Sequence, residues 1–180
     1  INESLLQENA YLRSNNLSSL LKRENELVYL GDSVFSQKYS YIPAKVTKST
    51  IVLENNYLIL DQGANQGISP GMGVITFSGI VGKVWKVSPN FSSVLSLLSI
   101  KNAGVGTIEK TGYQGRLVWS HSLGSERLSL ADIAVHAEVS VWDTVSTGNA
   151  SSLYPQNIPI GVIAKVEKKP GEVFCYIELR

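Results

Sequence analysis

Residues Tyr57 to Val87, YLILDQGANQGISPGMGVITFSGIVGKVWKV, decide the fold class. Leu58 and Leu60 share one face of a period-2 run, with Tyr57, Ile59 and Asp61 on the other. Gly63, Gly67, Gly71 and Gly73 then recur, with Asn65 and Pro70 between them. Glycine takes positive φ at little cost, asparagine tolerates it, and proline pre-sets φ for a turn. At least two of the four glycines are therefore expected at positive φ. Val74 to Phe77 resumes extended chain, Ser78-Gly79 turns it, and Ile80 to Val87 runs back. Repeated bending over so short a span is what a small, strongly curved β-sheet or barrel demands.

The bulk properties agree with a turn-rich β protein. The chain has 180 residues, enough for one large domain or two small ones with modest cores. Hydrophobic residues at 43% and charged residues at 17% exclude a disordered, strongly hydrated chain. Sixteen basic residues against fifteen acidic ones give +1. The basic residues form no cluster, which argues against a nucleic-acid partner. Cys175 is the only cysteine, so no disulfide forms within the chain. Within VFCYIEL, Val173, Cys175, Ile177 and Leu179 alternate as a core face, and Cys175 reads as a small buried hydrophobe.

Residues 1–31 read as a coiled-coil helix. They contain no proline, and Gly31 is a plausible terminator. Asn2, Asn9 and Asn16 recur every seven residues, with Leu5 and Leu12 three after the first two. That spacing puts asparagine at a and leucine at d of a dimerising seam, where buried Asn selects register and a two-stranded state. The repeat falters at Ser19 and Arg23, and a second stripe, Leu17, Leu20, Leu21, Leu27 and Val28, takes over. A lone amphipathic helix docked on the β region is the alternative reading.

Residues 32–39 read as a link. A strand with an edge-type proline follows at Ile42 to Thr47, and Val94 to Ile100 reads as a buried strand. A soft boundary falls near Lys101 to Gly104. Beyond it, Gly104–Glu109 and Gly115–Trp119 form a hairpin, followed by strands at Glu126–Leu130, Val139–Val145, Ile160–Lys168 and the C-terminal segment. About eleven short strands behind one helix give a mainly β fold, as two small β-barrel domains or a sandwich. The domain expectation is 1–31 helix, 32–103 first barrel and 104–180 second barrel, with strands free to interleave between the two.

Chemistry-bearing patterns are sparse. His121 and His136 have no cysteine or second histidine at ligand spacing, so no metal or other cofactor is expected. The sequence lacks a G-x-S-x-G elbow, and Gly82-Lys83 lacks the remaining residues of a phosphate loop. The chain reads as non-enzymatic. Trp85, Trp119, Trp142, Phe174 and Tyr176 fall in expected strands. Phe174 and Tyr176 oppose the core face of their strand and mark a candidate partner surface, with inter-domain packing as the alternative.

Two blocks carry a family resemblance. The first comprises Asp61-Gln62-Gly63, Asn65-Gln66-Gly67-Ile68, Pro70-Gly71-Met72-Gly73-Val74 and Gly79-Ile80-Val81-Gly82-Lys83-Val84. The second runs Asp143-Thr144-Val145-Ser146-Thr147-Gly148, then Tyr154-Pro155-Gln156-Asn157-Ile158-Pro159-Ile160-Gly161. Together they resemble the bacterial rod shape-determining family MreC over residues 40 to 168. Trp142 and Asn157 stand where that family usually has glycine, and Asn149 departs from its Ser-Gly order. The resemblance implies a helical stalk before two β-barrels, resembling trypsin-like hydrolases in outline without their active residues. It also implies a single-pass anchor upstream of Ile1, with this chain on the periplasmic face of the inner membrane. The implied function is a scaffold of the cell-elongation machinery, linking MreB and MreD to an elongation-specific penicillin-binding protein that makes peptidoglycan. A homodimer, with higher self-assembly, is the expected state. Two readings compete: a membrane-fusion-type periplasmic adaptor, which needs a second helical arm, and a divergent trypsin-like hydrolase, which needs a serine, histidine and carboxylate hydrogen-bonded in a cleft.

Overall fold

The computed structural model describes residues 3–14, 20–21, 28–30, 33–37, 39–101, 104–148 and 153–180. The chain divides into two compact units, Ile1–Lys45 and Val46–Arg180. In the first, helix α1 spans Glu3–Ser14 and is followed by short strands β1 (Leu20–Leu21), β2 (Val28–Leu30) and β3 (Ser33–Gln37), ordered β1-β3-β2. The expected helix over 1–31 is thus corrected at Leu20–Leu21 and Val28–Leu30, which are strand, and the expected link over 32–39 holds a strand. Val28, Tyr29, Val34 and Phe35 are β-branched or aromatic, and residues of this kind favour pairing across a sheet. Gly31-Asp32, between them in sequence, is a two-residue hairpin signal as well as a helix stop.

The second unit holds eleven strands in two antiparallel arrays. The first is a five-stranded sheet ordered β4-β5-β8-β7-β6. Its strands are β4 (Val46–Ser49), β5 (Tyr57–Leu60), β6 (Gly73–Ile75), β7 (Ile80–Val87) and β8 (Ser92–Ser96). Register shifts in the β4–β5, β6–β7 and β7–β8 pairings supply the bends that the glycine-rich sequence announces. The second array is a closed barrel, β10-β11-β14-β13-β12-β9. It is built from β9 (Gly104–Ile108), β10 (Gln114–Val118), β11 (Leu128–Ala131), β12 (Thr144–Ser146), β13 (Pro159–Glu167) and β14 (Tyr176–Leu179). All strands of the sheet precede residue 97 and all strands of the barrel follow residue 103, so the two arrays do not interleave.

Alternation fills the barrel. Leu117 on β10, Leu128 and Leu130 on β11, and Ile177 and Leu179 on β14 point inward with Ile108, Val145 and Ile163. Each such buried side chain contributes roughly 1.5–3 kcal/mol relative to exposure. Cys175 joins this core, but Val173, expected on the same face, is 68% exposed. Regular pairing of β14 begins only at Tyr176, and Phe174 makes an isolated bridge to Ala134, so the alternation does not extend back to Val173.

The stretch Val139–Val145 is likewise corrected: only Thr144–Ser146 is strand. Asp143 folds the residues before it into a turn, its Oδ2 accepting the Ser140 N–H at 2.8 Å and its own N–H donating to the Ser140 carbonyl. Trp142 lies in that turn with φ 77, left-handed space that a bulky aromatic enters only at a cost.

Candidate functional site

The two sequence blocks meet in space. Thr147 organises the second block: its hydroxyl donates to the Pro155 carbonyl at 2.6 Å and accepts the Ile158 N–H at 2.9 Å. Backbone bonds from Thr147 N–H to Ile158 and from Asn157 N–H to Thr147 complete the staple. Asn157 sits at φ 61, a conformation asparagine accepts readily. The loop so held presents Tyr154 to the first block, where its hydroxyl donates to the Gly82 carbonyl on β7 at 2.6 Å. Burial pushes the Tyr154 phenol up to about 12, so it is a neutral donor throughout the physiological range.

Glycine makes the approach possible. A Cβ on Gly73 would lie 2.5 Å from the Leu153 carbonyl oxygen and 2.7 Å from the Tyr154 ring. One on Gly79 would lie 2.3 Å from the Pro159 carbonyl oxygen. These glycines are therefore contact positions between sheet and barrel. Turn geometry of the expected kind appears at Gly67 (φ 85) and Gly71 (φ 90). Gly63 has φ −136 and accepts the chain at Ser88–Phe91 against its Cα. Gly148 abuts Thr107, and Gly161 abuts the Arg180 carbonyl.

Sequence reasoning singled out Asp143, Gly148, Pro155, Pro159 and Gly161 in this block but passed over Thr147 and Tyr154, which make its hydrogen bonds. The signal was present as an aromatic before proline and a threonine before glycine. Their partners, however, lie eight to seventy-two residues away and leave no local periodicity.

The remaining site residues lie elsewhere. Phe174 is 50% exposed and Tyr176 is 37% exposed, with the Tyr176 hydroxyl 3.1 Å from Glu178 Oε1. Glu178 also pairs with Arg127 at 3.0 Å. On α1, Leu5 and Leu12 are exposed, and Asn9 donates its amide to the Leu5 carbonyl at 2.8 Å. Asn2 and Asn16 lie outside the described residues. No group of three or more His, Cys, Asp or Glu side chains converges as a metal site among the described residues. His121 packs edge-on to Trp119 and His136 to Tyr113, as ring contacts.

The family model for "Rod shape-determining protein MreC, barrel core" matches residues 46–180, the whole of the second unit. The chain belongs to the MreC family. It is 22% identical to the cell shape-determining protein MreC of Haemophilus influenzae over 182 residues, covering 100% of this chain and 50% of the relative. Identity to the Escherichia coli MreC is 24% over 174 residues, covering 97% and 43%. The chain thus spans about half the length, or less, of these curated relatives. Among solved structures, MreC from Pseudomonas aeruginosa superposes with a TM-score of 0.70 at 21% identity, over 76% of this chain and 86% of that one. The matched range takes in both sequence blocks and the seam at which they meet.

Proposed function

We propose that this chain is the barrel-bearing part of a cell-shape scaffold that holds envelope proteins in a fixed geometry and catalyses nothing. The observation that carries this reading is the seam itself. Thr147, Tyr154, Gly73 and Gly79 join the two β arrays through hydrogen bonds and close backbone approach rather than converging as reactive groups. A rigid body with exposed aromatics at its surface is suited to presenting contacts.

On this reading the chain works at the periplasmic face of the inner membrane, held by an anchor outside it. Among the described residues no helix is long and apolar enough to cross a membrane. Its partners are an elongation-specific penicillin-binding protein, MreD and, through the membrane, MreB. The Asn2/Leu5/Asn9/Leu12/Asn16 seam pairs two copies. The barrel surface at Phe174 and Tyr176 is the face offered to a partner protein.

The test is capture of elongation-machinery proteins from solubilised envelopes by parent, Phe174→Asp and Tyr176→Asp chains. Both variants are expected to lose capture while keeping their β circular dichroism. Capture by the parent should change little between low and high salt, because an apolar contact offers few charges to screen. Undiminished capture by both variants removes that surface from the reading, and turnover of a peptide or ester by the purified chain overturns the scaffold itself.

A further inference from the structure

Register sorts the side chains of the five-stranded sheet onto two faces. Residues directly opposite one another share a side, and successive residues along a strand take opposite sides. Leu58, Val94 and Val84 fall on one face, with Ser96 and Gly82 paired on the same side. Leu58 and Ser96 line a cleft together with Leu128 and Ile160 of the barrel, so this face is the inner one. The other face turns away from the barrel. Two rows of paired residues cross it: Lys48, Ile59, Ser93 and Lys86, then Tyr57, Leu95, Lys83 and Gly73. Lys48 and Lys86 are exposed, and only Leu95 among these residues is buried.

Strands β4 to β8 contain no Asp, Glu or Arg. Lys48, Lys83 and Lys86 are therefore the charged side chains of the sheet, and all three lie on its outer face. None of them forms an ion pair among the described residues. From Gln62 to Ile108 the chain carries no acid at all, and Glu54 and Asp61 lie in the connections on either side of β5. Trp85 stands between two of the lysines as the extra residue of the β7–β8 bulge, 48% exposed, and Phe91, 50% exposed, immediately precedes β8.

These lysines are spread rather than converged. Lys48 and Lys86 are three strands apart, roughly 14 Å at ordinary strand spacing, and Lys83 and Lys86 are roughly 10 Å apart along β7. No single phosphate or carboxylate spans such gaps, so the complementary partner is an extended anionic surface. Protein interfaces are depleted in lysine and enriched in arginine, the reverse of this face. Exposed aromatics among lysines are what a surface resting on lipid headgroups carries: rings enter the interface and ammonium groups meet anionic heads.

We propose that the outer face of the sheet rests on an anionic lipid bilayer, with Lys48, Lys83 and Lys86 on the headgroups and Trp85 in the interface. This contact lies beyond the scaffold reading and does not depend on its protein partners.

Co-sedimentation of the intact chain with phosphatidylcholine vesicles, and with vesicles that also contain phosphatidylglycerol, tests the contact. Binding is expected to the mixed vesicles and not to the neutral ones, and it should fall as salt is raised. Lys48→Gln and Lys86→Gln, both at exposed positions, should each lower the partition coefficient about fivefold, the worth of one lysine at an anionic surface. Lys169→Gln removes the same charge from an exposed turn of the barrel and should leave binding unchanged. Trp85→Phe should abolish the tryptophan emission shift while the vesicles still carry the chain down. Absence of binding to mixed vesicles overturns the proposal, as does equal binding to neutral ones. An effect of Lys169→Gln as large as that of Lys86→Gln also overturns it, by reducing the interaction to net charge. Tighter binding to soluble polyglutamate or to a single-stranded oligonucleotide than to mixed vesicles overturns it in favour of a soluble polyanion.

Discussion

Tyr154 and Trp142 show how single side chains in this molecule exchange local cost for long-range contact. Tyr154 is buried and bonded to a carbonyl seventy-two residues away. Tyr154→Phe should destabilise the chain by about 1 kcal/mol, the loss of its hydrogen bond to the Gly82 carbonyl, read as a shifted urea midpoint at pH 7. The pH dependence has a definite sign. An unfolded tyrosine ionises near pH 10, whereas burial raises the folded value to about 12. The folded state therefore holds the proton more tightly than the unfolded one between those values. The associated stability is complete below pH 10 and falls as pH rises through 12, by roughly 2–3 kcal/mol at most. Subtracting the Tyr154→Phe curve from that of the parent should isolate this alkaline loss; parallel curves would refute it.

Trp142 gives a second residue-scale expectation. Alanine there keeps the left-handed backbone and loses the stack on Arg180, whereas glycine loses the stack but releases the strain. Trp142→Gly should therefore be more stable than Trp142→Ala by about 1 kcal/mol. Urea melts that rank alanine equal or higher would show that the turn relaxes.

At the scale of elements, the glycines of the first block separate into two physical kinds. Gly71 holds φ 90 with open space around it, so Gly71→Ala carries only a backbone cost of about 1 kcal/mol. Gly73 lies under the Leu153 backbone, so Gly73→Ala must push sheet and barrel apart and should cost clearly more, about 2–3 kcal/mol. Equal urea midpoints for the two variants would mean that the seam yields freely. Turn glycines could be read from the sequence because Asn65 and Pro70 stand among them. Contact glycines could not, because nothing near Gly73 or Gly79 announces the loop at 153–159.

Across the whole molecule, Val46–Arg180 forms one compact unit although its strands fall into two arrays. A fragment of residues 46–180 should therefore unfold in one transition, with the sheet and barrel lost together. Two separated transitions by tryptophan emission and circular dichroism would contradict that. The pairing proposed for the N-terminal seam makes an independent expectation. Sedimentation should give the full chain twice the mass per particle, relative to its own chain mass, of the 46–180 fragment. One copy per particle for both would remove the dimer.

What the sequence determined by itself was whatever depends on neighbours along the chain. Period-2 alternation made Leu58/Leu60, Leu128/Leu130 and Ile177/Leu179 strand residues, because successive side chains on a strand face opposite ways. Glycine with proline and asparagine announced the turns at Gly67 and Gly71, because few other residues reach their φ. Two ordered blocks were enough to indicate the family. The tertiary structure decided what depends on residues far apart in sequence. It closed the barrel, left the sheet with edges at β4 and β6, and turned Gly73, Thr147 and Tyr154 into a joint. It also paired Val28–Leu30 with Ser33–Phe35, where the leucine stripe alone favoured helix. A stripe of apolar residues records that a segment has a face to bury; hydrogen-bond partners from elsewhere in the chain settle whether that face belongs to a helix or a strand.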